Sequence, residues 1–150
     1  MPALCRGAST CLSLGKPEAV MSIKHMHIGR TSTSPEVQLD LERGTIDIIG
    51  RSLPANGEQF YERVHRWLDE YLKQPCDRTT VNMRLDYMDT SSSKHFYTIF
   101  NRLSAAQERS GNVQVNWHFE TGDEEMAETG KDYQSLFPIE FQIIEVKDLF

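Results

Sequence analysis

The densest run of reactive side chains in the sequence is Asp89-Thr90-Ser91-Ser92-Ser93-Lys94, four consecutive hydroxyls between an alternating segment and an apolar stripe of helical period. A hydroxyl at the start of a helix has two uses. It can accept a hydrogen bond from an amide that the first turn leaves unpaired. It can also carry a phosphoryl group, whose charge of about −1.5 to −2 suits the unpaired N–H groups and partial positive charge there. One capping residue is worth about 1 kcal/mol and suffices for the helix. Four hydroxyls exceed that need, although a polar surface turn would also account for them, so spacing alone leaves regulation and capping both open.

A second group, His118, Glu120, Asp123, Glu124 and Glu125, holds the residue types of a metal site or an acid and base pair. His118 and Glu120 alternate with apolar residues, which places them on the polar side of a strand. The three acids fit the first turn of a helix, where negative charge is favoured anyway. Gly-rich phosphate loops, nucleophile elbows and paired-His metal motifs are absent from the sequence. The chain is therefore read as a non-enzymatic protein without metal or cofactor, and His25-Met26-His27 as solvent-exposed residues of a tail.

The elements that must position the hydroxyl run follow from periodicity. Val37 to Leu41 and Thr45 to Ile48 alternate apolar and polar residues around Glu42-Arg43-Gly44, which predicts a hairpin. Phe60, Val64, Trp67, Leu68 and Tyr71 form one helical face, leaving Tyr61, Arg63 and His65 to project away from it as a solvated or contact surface. Thr79 to Tyr87 is a strand with one wet face. Phe96, Ile99, Phe100 and Leu103 mark a second helix that stops near Ser110-Gly111. Val113 to Phe119 alternates again, Asp123 to about Ser135 is a third helix, and Phe141 to Val146 is a last strand. The order β-β-α-β-α-β-α-β calls for an α/β domain with right-handed crossovers. Strands buried on both faces read as continuous apolar runs, whereas these carry a polar residue at every second position. The expected fold is thus two-layered, a mixed sheet with its helices on one face. The other face carries Asn82, Arg84, Asp86, Asn116 and His118.

With 150 residues the chain is read as one domain over 28–150 behind a disordered tail over 1–27. A net charge of −6 with scattered basic residues disfavours nucleic acid. No stretch approaches the roughly 20 apolar residues of a membrane span, so direct membrane insertion is not expected. Cys5, Cys11 and Cys76 have neither CxxC spacing nor partner histidines for zinc, and read as reduced thiols of a cytoplasmic protein.

Four stretches, taken together and in order, carry a resemblance: Gly50-Arg51-Ser52-Leu53-Pro54-Ala55-Asn56, Leu85 through Lys94, Trp117 with Asp123-Glu124, and Phe137-Pro138-Ile139. From Ile28 to about Ile144 the chain resembles the SiaC family of bacterial regulatory phosphoproteins. Leu53 and Ala55 depart from the aromatic and acidic residues of that family's Gly-x-Ser-x-Pro stretch. The resemblance implies a fold like the STAS domains of anti-sigma-factor antagonists. It implies a residue at the strand-to-helix junction that a Ser/Thr protein kinase phosphorylates and a metal-dependent Ser/Thr phosphatase restores. It also implies that the unphosphorylated form binds and activates a diguanylate cyclase, in c-di-GMP signalling and biofilm formation. The matching position is Thr90, with Ser91 as rival. Its neighbours Tyr87, Met88, Asp89 and Ser92, with Tyr97 off the Phe96 stripe, are the expected partner contacts. An anti-anti-sigma-type antagonist acting on transcription, or an unmodified binding module, would use the same surface.

Overall fold

The computed structural model describes residues 25–109 and 111–150; Cys5, Cys11, Ser110 and the expected tail up to Lys24 lie outside the described residues. The elements are β1 (His25–Ile28), β2 (Glu36–Asp40), β3 (Thr45–Ser52), α1 (Gly57–Tyr71), β4 (Arg78–Met88), α2 (Thr90–Arg109), β5 (Asn112–Glu120), α3 (Glu124–Leu136) and β6 (Glu140–Val146). The six strands form one sheet in chain order, β1-β2-β3-β4-β5-β6. The first two pairings are antiparallel and the remaining three parallel. Three crossovers that step the same way along a sheet with the same right-handed sense must put their helices on the same side. This is the physical origin of the one-sided sheet read from the alternation.

Rows of apolar side chains run across the helix-covered face: Leu39 is in register with Ile46, Ile46 with Val81, and Val81 with Val115. Trp67 and Tyr71 of α1, Phe96 and Phe100 of α2, and Met126 and Tyr133 of α3 close over them in one buried cluster. The packing of α2 against α1 corrects one expectation. Tyr61, expected off the buried stripe, is fully buried, stacked on His95 at 5.1 Å between ring centres. A helix covered on one side by a sheet and on another by a neighbouring helix buries more than one face.

Strand β1 is a second correction, because it begins inside the segment expected to be a tail. It pairs along its whole length with β2, and its histidines reach across that pairing: His25 Nδ1 lies 3.5 Å from an Asp40 oxygen and His27 Nε2 3.1 Å from a Glu36 oxygen. At the far end of α2, Gly111 takes φ +45°, and any Cβ there would lie 2.5 Å from the Asp77 carbonyl oxygen. Only glycine lets the chain turn so tightly into β5.

The open face is polar and internally wired. The Arg78 guanidinium donates to Gln114, Gln114 to Asn116, Asn116 to Asn82, and Asn82 to Asp47, with donor to acceptor distances of 2.7 to 3.0 Å.

Candidate functional site

The hydroxyl run lies where β4 gives way to α2. The Asp89 amide donates to the Ser52 carbonyl at 3.0 Å, which fixes the turn against the end of β3. Its carboxylate accepts from the Ser92 amide at 2.8 Å, and its carbonyl accepts from the Ser93 amide. Asp89 therefore caps α2, and Thr90 is the first helical residue.

That division of labour separates the four hydroxyls. Thr90 is exposed, and its hydroxyl makes no hydrogen bond among the described residues. Ser91 is half-buried, its Oγ seated against Gly57, where any larger residue would collide with it. Ser92 is fully buried; its Oγ lies 2.5 Å from Ser52 Oγ and donates to the Ser52 carbonyl at 3.2 Å. Ser52 Oγ in turn lies 2.6 Å from the Tyr61 hydroxyl, whose ionisation burial pushes far up. The Tyr133 hydroxyl donates to the Ser93 carbonyl at 2.9 Å and lies 2.9 Å from Ser93 Oγ. Ser92 was expected to touch a partner; the structure instead makes it part of a closed hydroxyl cluster, since the third position of α2 turns inward.

The neighbouring apolar residues divide between two sides. Tyr87 is 46% exposed, although strict alternation would put it on the covered face with Leu85. The register explains this: Gly50 pairs with Leu85 but Arg51 pairs with Tyr87, so Asp86 is an extra residue, a bulge that turns Tyr87 to the open face. Arg51 and Asp86 form an ion pair at 3.3 Å there. Met88 returns to the covered side and packs on the core edge. Tyr97 is 47% exposed and leans on Phe137 at 5.1 Å, on the other side of α2. With Ser93, Lys94, Thr129, Asp132 and Leu136 it lines a groove of about 590 Å³ between α2 and α3.

Beside Tyr61, His65 Nε2 and His95 Nδ1 lie 3.0 Å apart, joining α1 to α2. Burial, then the charges of His95 and Arg102, hold His65 below the ordinary histidine value, against Asp69 and Glu58. The other nitrogen of His95 faces Glu58 at 3.8 Å, so the pair and the acid do not converge on one point. Of the residues considered for acid, base or metal chemistry, Asp123 caps α3 through the Met126 amide, while Glu124 and Glu125 occupy its exposed first turn. His118 is half-buried on the open face with Nδ1 3.3 Å from the Met83 carbonyl, and burial lowers its pKa. Among the described residues no three His, Cys, Asp or Glu side chains are grouped to hold a metal. Ser52 and His95 were not singled out from the sequence as site residues, and Tyr61 was read only as part of an outward-facing solvated or contact surface. The one signal available for Ser52 was its place in the Gly50 to Asn56 stretch that carried the family resemblance.

Residues 28–146 match the model of the family described as SiaC family regulatory phosphoprotein. The chain belongs to this family. An uncharacterised protein of Pseudomonas aeruginosa strain UCBPP-PA14 is 28% identical over 119 residues, which cover 78% of this chain and 94% of the relative. Two solved structures from Pseudomonas aeruginosa are similar at 26% identity. One is the diguanylate cyclase SiaD in complex with its activator SiaC, with a TM-score of 0.77 over 81% of this chain and 99% of that one. The other is SiaC in its apo form, with a TM-score of 0.73 over 80% and 98%. The SiaC fold thus spans the mixed sheet and the three helices, including the β4–α2 junction. Among the described residues no helix is long and apolar enough to cross a membrane.

Proposed function

We propose that the chain is a partner-switching regulator of the cytoplasm that binds and activates a diguanylate cyclase while Thr90 is unmodified and releases it when Thr90 is phosphorylated. The likeness to an activator held in complex with its cyclase supports the output partner. One observation carries the choice of residue: Thr90 is the hydroxyl of the run that is both exposed and free of hydrogen bonds, at a position whose cap is already supplied by Asp89. A kinase can reach it without unfolding α2, and its modification leaves the buried Ser52–Ser92 contact undisturbed.

The switch is electrostatic. The first turn of α2 tolerates a phosphate, but a partner surface that buries this turn must desolvate two added charges. A penalty of about 3 kcal/mol lowers affinity roughly a hundredfold or more. Tyr87, Met88 and Asp89, which precede Thr90 in the chain, and Tyr97, two turns further along α2, are the proposed contact surface. A Ser/Thr protein kinase writes the mark and a metal-dependent Ser/Thr phosphatase erases it, the enzymes that the family resemblance implies.

Two measurements test this reading. Mass spectrometry of the protein from its native host should find phosphate on the peptide containing Thr90, at an occupancy that changes between planktonic and surface growth. In vitro, Thr90→Ala should keep cyclase binding and activation, and Thr90→Asp should fold normally yet lose both. A Thr90→Asp protein that activates the cyclase as well as wild type would reject the assignment of Thr90.

A further inference from the structure

Residues 147–150 leave β6 at one edge of the sheet, yet Phe150 lies under the Arg30 guanidinium, with Arg30 Cζ 4.5 Å from the ring centre. Arg30 in turn packs beside Gly50 of β3, its side-chain carbons 3.3 Å from where a Cβ would stand. Going from β6 to β3 crosses three strand spacings, about 14 Å. Four extended residues reach about 13 to 14 Å, enough to carry Phe150 from the end of β6 to the Arg30 side chain. The helices occupy one face; the Arg30 charge acts on the Glu36 carboxylate, which stands on the side of β2 opposite the buried Val37, so Arg30 and the ring beneath it lie on the other face, where Leu149 is 2% exposed. The segment therefore crosses the open face, at the end where the parallel strands finish and Thr90 begins.

Its attachment is slight. Lys147, Asp148, Leu149 and Phe150 make no hydrogen bond or ion pair among the described residues, and Phe150 is 57% exposed. One buried leucine and one cation–π contact hold it. Arg51, next to Gly50, is in register with the exposed Tyr87, which places the latch beside an expected partner contact.

We infer that residues 147–150 form a displaceable strap that covers the carboxyl-terminal end of the open sheet face and competes with the partner for it. This deepens the proposed function, resting on the cyclase as partner, and adds a second layer of control that needs no covalent change. A partner that requires the uncovered face binds with an apparent affinity reduced by the fraction of molecules in the open state.

The test places 4-fluorophenylalanine at position 150 and reads its 19F resonance in the full chain, beside binding of a purified diguanylate cyclase. Arg30→Ala and, separately, Leu149→Asp should move the resonance toward its solvent value and raise cyclase affinity by the reciprocal of the wild-type open fraction. For an open fraction of a tenth, this is about tenfold. Two variants at different points guard against a local folding defect in either one. A resonance unmoved by both variants overturns the strap, and unchanged or weakened cyclase binding overturns its competition with the partner. If the wild-type chain binds no cyclase at all, the proposed function fails, and the resonance alone decides whether the strap opens.

Discussion

Ser52 Oγ and Ser92 Oγ lie 2.5 Å apart although forty residues separate them in the chain, and this contact ties the end of β3 to the first turn of α2. Ser92→Ala removes a group bonded to both the oxygen and the carbonyl of Ser52 and leaves the Ser52–Tyr61 pair short of one partner. The expected cost is about 1 to 3 kcal/mol. Thr90→Ala, two residues away, removes an exposed unbonded hydroxyl and should cost less than about 0.5 kcal/mol. Urea unfolding of the two variants side by side checks the contrast.

Asp89→Ala should destabilise the protein by about 1 kcal/mol, because it removes the side-chain cap of α2. Asp89→Asn keeps the acceptor and should recover most of that loss. Chemical denaturation distinguishes the two, and equal losses would mean that the carboxylate acts by charge rather than by accepting the Ser92 amide.

Gly130→Ala reverses the usual sign of its substitution. In an exposed helix interior, alanine is favoured over glycine by about 1 kcal/mol. Here the added Cβ would lie 2.5 to 2.8 Å from ring atoms of Trp117, whose indole N–H is held on the Met126 carbonyl at 3.0 Å. Overpacking should cost about 1 to 3 kcal/mol and shift Trp117 fluorescence.

Acid should destabilise the fold through two histidines. Burial holds His65 and His118 below their ordinary value of 6.5, so the unfolded chain takes up their protons first. Their stabilising contribution is complete above pH 6.5 and declines as pH falls below it toward the lowered folded-state values. Melting temperature should therefore drop between pH 7.5 and pH 5.5. His65→Gln and His118→Gln should each flatten that dependence, as thermal scans at several pH values would show.

Tyr97→Ala and Leu136→Ala test the groove between α2 and α3. Both side chains are about half exposed, so each substitution should cost no more than about 1 kcal/mol of stability. If the partner surface extends over this groove, cyclase affinity should fall at least tenfold while the melting temperature holds, as calorimetric titration would record. Unchanged affinity would confine the surface to the β4–α2 junction and the open face.

Much of this architecture was legible because half of each strand had to be apolar. Val37 to Leu41, Thr79 to Leu85 and Val113 to Trp117 alternate cleanly, and their polar members announced the open face. Strand β1 was not legible: four residues, two of them histidines, hold too short an alternation to separate from a tail. Nor was the bulge at Asp86, since an alternating pattern carries no mark where one residue is inserted, and Tyr87 keeps the parity of the buried row. The cluster of Ser52, Tyr61 and Ser92 was hidden for a different reason. Serines beside Pro54 and Asp89 resemble any polar turn, and their burial arises only where three distant segments meet. Thr90 was singled out through the family resemblance, since the strand-to-helix junction alone left regulation and capping both open, and its separation from Ser92 needed the geometry of the cap.

Strands that sit in the sheet in the order in which they occur in the chain carry a consequence for biosynthesis. Each new strand docks against the one made just before it, for β4 to β6 after an intervening helix, and among the described residues no later strand inserts between two earlier ones. Contacts between neighbouring elements close short loops at modest entropic cost. The described domain can therefore assemble progressively as it leaves the ribosome, with β1–β2–β3 as an early platform and the β4–α2 junction in place before β6 is synthesised.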